Sequence, residues 1–197
     1  MKLHKTIAVI LLFAASIWSA FTYTLKEIES AQYLAGINII QNHDNLEDFK
    51  LGSFITRKEV LKTVWKLSAQ EIEDKCEGIF SDVVLSDWGC KYIEFAYREW
   101  IIAKNDTFRP EDLITKTEAV KLILKVKGVE KTQITDNWQE DYMMTAFEKG
   151  IIEEKYSDYN ANATRGWIFK IATAVVKQDR LEKMKNGEVD IYSDEAL

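Results

Sequence analysis

Ile114-Thr115-Lys116-Thr117-Glu118-Ala119-Val120 decides how this chain folds, because it occurs three times. Upstream stands Ile55-Thr56-Arg57-Lys58-Glu59-Val60-Leu61, and downstream Ala163-Thr164-Arg165-Gly166-Trp167-Ile168-Phe169. The threonines lie 59 and 49 residues apart, and the apolar residues after them keep one register. Val60, Leu61, Val64 and Leu67 correspond to Ala119, Val120, Ile123 and Val126, then to Ile168, Phe169, Ala172 and Val175. That i, i+1, i+4, i+7 spacing is an amphipathic helix. Threonine at the N-cap accepts a hydrogen bond from an early amide, and glutamate three residues on reaches back to the cap's own N–H. Thr56/Glu59 and Thr115/Glu118 fit this box; Thr164 has Trp167 where the glutamate belongs, which predicts a weaker cap.

A second pattern precedes each box. Trp88, Tyr92, Ala96 and Trp100 recur as Trp138, Tyr142, Ala146 and Gly150, in steps of four that line one helical face. Both stretches end in paired isoleucines, Ile101-Ile102 and Ile151-Ile152. In the first copy only Gly36-Ile37 is legible, behind a divergent helix over residues 25–35. Each unit is thus a helix, an irregular loop and a capped helix. One such pair cannot bury its apolar face alone, so three must pack together. The expected fold is mainly all-α, with repeats over 21–70, 71–128 and 129–177. The last helix runs from Thr164 toward Lys183, and residues 178–197 form a charged helix end and acidic tail.

Composition agrees. Of 197 residues 47% are hydrophobic and one is proline, which favours helices over a turn-rich β-fold. With 26 basic against 32 acidic residues, no cationic excess exists to neutralise nucleic-acid phosphates. Two histidines cannot supply a triad or a multi-histidine metal site, so neither catalysis nor a metal or other cofactor is expected. Lys2 and Lys5, the apolar run Ile7–Ala15 and small residues to Ala20 read as an export signal over 1–20, cleaved or kept as an anchor. Cleavage removes two lysines and no acid, leaving 24 basic residues and a net charge of −8. Export also permits a disulfide between Cys76 and Cys90, expected over two buried thiols.

The ordered set Phe80-Ser81-Asp82-Val83, Trp88, Tyr92-Ile93, Ala96, Ile101-Ile102, Phe108-Arg109-Pro110 and Ile114-Thr115-Lys116-Thr117-Glu118 resembles the S-layer homology (SLH) family. The resemblance spans about residues 21–177. It implies a three-pronged spindle at the cell surface that binds, non-covalently, secondary cell-wall polysaccharide often carrying pyruvate ketals. It also implies that the basic residue after each threonine lines a ligand groove: Arg57, Lys116 and Arg165. Asp82, Trp88 and Trp138 match further groove positions, and Gly36 and Gly150 match the glycine before the isoleucine pair; Trp100 replaces that glycine and is expected to fill its groove. Taken as residues alone, the two tryptophans are more often core anchors than sugar platforms, and Glu59 and Glu118 are caps, not catalytic acids. The basic residues recur at a helix start, where a cation is mildly unfavourable. An anion sharing free amide N–H groups would explain that. The alternative is a structural protein that associates with other S-layer or envelope proteins or with itself.

Overall fold

The computed structural model describes residues 23–155 and 158–188. The expected export segment, and the acidic tail beyond Glu188, lie outside them. Among the described residues the chain is helical: α1 (Leu25–Gly36), a 3-10 turn (Leu46–Phe49), α2 (Arg57–Ser68), α3 (Cys90–Arg98), α4 (Lys116–Val126), α5 (Trp138–Glu148) and α6 (Arg165–Lys185). None of these helices is long and apolar enough to cross a membrane.

Threonines start the three repeated helices. At α2 and α4 the Thr56 and Thr115 hydroxyls accept from the third amide, while Glu59 and Glu118 accept the cap N–H at 2.9 and 3.0 Å. Thr164 accepts from the Trp167 amide at 3.3 Å, and no glutamate returns the bond. A further box, Thr24 with Glu27, starts α1. Behind the caps, the shared apolar register is the core. Val60, Leu61, Val64, Ala119, Val120, Ile123, Ile168 and Ala172 have no accessible surface, and burying each large aliphatic contributes about 1.5–3 kcal/mol.

The loops entering α2, α4 and α6 meet in a closed circuit of backbone hydrogen bonds. Ile114 N–H donates to the Ile55 carbonyl (3.1 Å), Ile55 to Ala163 (3.2 Å) and Ala163 to Ile114 (2.9 Å). A second circuit takes the first amide of each capped helix to the next copy: Arg57 to Asp112 O (2.9 Å), Lys116 to Ala161 O (2.8 Å), Arg165 to Ser53 O (2.9 Å). The second amides of α2 and α6 follow, Lys58 to Pro110 O and Gly166 to Leu51 O. The first N–H groups of a helix have no partner within it; here the neighbouring copy supplies one. Each repeat therefore completes the helix start of another. The free amides invoked above to explain an anion at these helix starts are taken up by the protein itself.

Helix pairing also crosses copies. α3 lies along α2, α5 along α4, and α1 closes the circle against α6, while α2, α4 and α6 touch one another at the centre. At the closing contact Gly166 admits α1: a Cβ there would stand 3.1 Å from the Glu27 Cβ and 3.2 Å from the Leu51 Cβ.

The turns after α1, α3 and α5 correct one sequence assignment. The paired isoleucine amides return to a single helix carbonyl: Ile39 and Ile40 to Leu34, Ile101 and Ile102 to Ala96, Ile151 and Ile152 to Ala146. The residue just before each pair is left-handed: Asn38 (φ 59°), Trp100 (φ 57°) and Gly150 (φ 67°). The first-copy counterpart of Gly150 is thus Asn38, two positions beyond Gly36, which is the last residue of α1. Asparagine is among the few non-glycine residues that adopt the left-handed region at modest cost, so the motif persists there without its glycine.

Two buried carboxylates fasten the long loops. Cys76 and Cys90 form a disulfide with Cα atoms 5.8 Å apart. Beside it the buried Glu94 accepts the amides of Glu77, Gly78 and Ile79 and an Arg98 guanidinium N–H at 2.9 Å. In the third copy Asp141, with no accessible surface, accepts from Lys131 Nζ (2.8 Å) and from the Thr135 amide and hydroxyl (2.9 and 2.8 Å). The Lys131 bond, reinforced by those from Thr135, holds this carboxyl below the usual aspartate range despite its burial. Neither carboxylate is marked by the repeat, because each serves a loop that the other copies lack.

Candidate functional site

Arg57 reaches from the start of α2 across the copy boundary. Its Nη1 donates to Glu118 Oε1 at 2.7 Å, its Nε donates to the Phe108 carbonyl at 3.0 Å, and its guanidinium lies 4.9 Å over the Phe108 ring. Arg165 repeats the move, to Glu59 Oε1 at 3.1 Å and the Phe49 carbonyl at 3.3 Å. Glu59 and Glu118 thus work twice: Oε2 closes its own cap, and Oε1 receives an arginine from another copy. A cation at a helix start is tolerated because a neighbour's carboxylate offsets it.

Two matching cavities open at these junctions, of about 200 and 210 Å³. One brings together Arg165, Glu59, Lys62 and Trp88 over Phe49 and Ile39-Ile40. The other brings together Arg57, Glu118, Lys121 and Trp138 over Phe108 and Ile101-Ile102. His43 in the first stands where Asn105 stands in the second. Each cavity takes residues from all three copies, so no single repeat contains a site.

The tryptophans are not core residues. Trp88 is 48% and Trp138 41% exposed, each packed edgewise on the tyrosine four residues on. Lys58 Nζ lies 5.3 Å over the Trp88 ring, and a half-exposed indole beside cations can bind by stacking and charge together. The lysines are what the sequence comparison overlooked. Lys62, Lys121 and Lys170 stand six residues after each capping threonine, a periodicity as regular as that of the basic residue but hidden among ordinary helix-surface lysines. Lys121 Nζ lies 4.7 Å over Trp138; burial, with Lys125 nearby, lowers its pKa.

Other sequence candidates take different places. Asp82 accepts the amides of Phe108 (2.8 Å) and Arg109 (2.6 Å) and so shapes the loop behind the second cavity without lining it. Trp100 is 81% exposed and lines neither cavity, so it does not fill the groove as its position had suggested. Lys116 faces Trp167 in place of a glutamate, Nζ 5.3 Å from the ring, and burial, then the neighbouring Lys170, lowers its pKa. Gly150 borders a third cavity, of about 160 Å³, with Lys26, Glu153 and Lys170. Gly36 borders none of these three.

A helical module whose repeats complete one another and expose paired cationic grooves is the class these observations define. Comparison with known proteins gives a family match over part of the chain. The S-layer homology domain profile matches residues 79–120, the span from Ile79 to the first turns of α4. The chain is 27% identical over 169 residues to the Middle cell wall protein of Brevibacillus brevis, covering 83% of this chain. It is 26% identical over 170 residues to Exoglucanase XynX of Acetivibrio thermocellus, covering 79% of this chain. In both cases it spans 15% of the relative's length.

Proposed function

We propose that the chain is an exported, non-catalytic anchoring module of the cell envelope that holds an anionic secondary cell-wall polysaccharide in the two arginine–tryptophan grooves. One observation carries this: the same four groups, arginine, glutamate, lysine and half-exposed tryptophan, converge twice at equivalent junctions. A protein with a net charge near −8 after loss of its first twenty residues repels a polyanion overall, so attraction must come from a few focused donors. A pyruvate ketal suits the groove chemically. Its carboxylate meets the guanidinium and ammonium, and the sugar ring's C–H face meets the indole. The S-layer homology match and the relative named for the cell wall support the same assignment.

Co-sedimentation with purified wall polysaccharide tests this. The parent should pellet with the polymer, more weakly as salt rises, and Arg57→Ala/Arg165→Ala should remain soluble. A folded double variant that sediments as well as the parent would transfer the role to association with other envelope proteins, the competing reading.

A further inference from the structure

We propose that the chain carries two anionic-sugar sites and not three, because Glu153 occupies the third junction as a tethered competitor for its lysines. This rests on the grooves binding an anionic sugar, as above. The three junctions are comparable residue by residue, since the isoleucine turns fix their register.

Besides Lys116 in the arginine's place, two substitutions distinguish the third junction. Trp167 replaces the capping glutamate, and Lys26 stands eight residues before Leu34, where Trp88 and Trp138 stand eight before Ala96 and Ala146. One acid is lost and one lysine gained. Lys26, Lys170 and Lys177 face Glu29 in this cavity, so without a further acid the junction would attract an anion. The residue after the isoleucine pair reverses that. It is Gln41 in the first copy and Ala103 in the second, but Glu153 in the third. The Glu153 carboxylate pairs with Lys26 of α1 through Oε1, and its Oε2 lies 3.7 Å from Lys170 of α6. One carboxylate thereby bridges the closing pair of helices at the position a ligand carboxylate would take.

Its side chain is 51% exposed, so the bridge is not a packing necessity. Exposed ion pairs are individually weak. A carboxylate tethered within reach, however, acts at an effective concentration in the millimolar range or above. At equal intrinsic affinity for the lysines, a free sugar acid below that concentration loses the competition. The junction also lacks the indole platform of the other two.

The test titrates the full exported chain with a methyl glycoside bearing a pyruvate ketal. Indole N–H resonances report each junction separately, and calorimetry gives the stoichiometry. In the parent, Trp88 and Trp138 should shift, Trp167 should stay still, and two ligands should bind. Glu153→Gln, at a half-exposed position that leaves the core intact, should let Trp167 titrate within about tenfold of the other affinities and raise the stoichiometry to three. The proposal is overturned if Trp167 shifts in the parent alongside the others. It is equally overturned if Trp167 stays silent in Glu153→Gln while Trp88 and Trp138 respond. If no indole responds in either protein, the groove assignment itself falls, and the proposal with it.

Discussion

The junctions at Trp88 and Trp138 and the junction at Lys26 share one backbone plan and differ in chemistry. In the first two, an arginine crosses to a capping glutamate and leaves an indole half exposed beside a lysine. In the third, the cation meets Trp167, the indole position is a lysine, and Glu153 closes the gap. The side-chain chemistry of a junction is thus separable from the backbone architecture that places it. The backbone circuits run through all three junctions, which differ in the side chains at Lys116, Trp167, Lys26 and Glu153. The third junction also joins the first described helix to the last, α1 packing directly against α6.

The comparison can be broken most sharply by charge removal. Arg57→Ala and Arg165→Ala should each weaken attachment to wall polysaccharide by roughly one to two decades, the worth of a charge-assisted hydrogen bond at ~1.5–3 kcal/mol. Lys116→Ala should change it less than threefold. Binding isotherms decide it; an equal loss for Lys116→Ala would erase the distinction between the junctions.

Next comes the disulfide, which tethers the loop before Trp88 and has no counterpart at Trp138. Cys76→Ser/Cys90→Ser should lower unfolding free energy by ~3 kcal/mol on the chain-entropy estimate. It should also loosen the Trp88 groove while the Trp138 groove keeps its affinity. Denaturant melts and the two indole resonances report these separately, and equal loss at both grooves would contradict a local tether.

Caps give a smaller effect. Thr56→Ala and Thr115→Ala should each cost ~1 kcal/mol, and Thr164→Ala less, because no glutamate completes its box. A larger loss at Thr164 in urea melts would show that the third helix start depends on its cap more than its hydrogen bonds indicate.

The smallest effect is the share of the acid-side pH dependence that the third copy contributes. The Asp141 pKa is lowered in the fold, so its stabilising contribution is fully present above the unfolded aspartate value near 3.9 and is lost as pH falls through the lower folded value. Asp141→Asn should be destabilised at pH 7 and should flatten the decline of melting temperature below about pH 4. An unchanged acid limb would remove Asp141 from the account.

Much of this was legible in the chain. The Thr-x-x-Glu boxes and the i, i+4 apolar register are local physics, so the capped helices, their weakest cap and most of their core could be read directly. The basic residues could be located but not interpreted. Whether Arg57 meets water, a ligand or Glu118 depends on a carboxylate 61 positions away, and no local pattern encodes that distance. Lys62, Lys121 and Lys170 were equally periodic, yet lysine on a helix surface carries no signal until a cavity forms beside it.

What the sequence determined by itself is the repeat: three capped helices, two cysteines within reach of a disulfide, and an acidic chain unsuited to nucleic acid. Periodicity and capping are short-range, and a few consecutive residues suffice to specify them. What only the tertiary structure decided is which surfaces face one another. The backbone circuits take each helix's first amide to another copy, and the cavities draw on all three copies at once. The Asn38 turn could be placed against Gly150 only through its hydrogen bonds. These features arise when distant segments close a ring, and there the energy of a side chain is set by a neighbour the local sequence does not name.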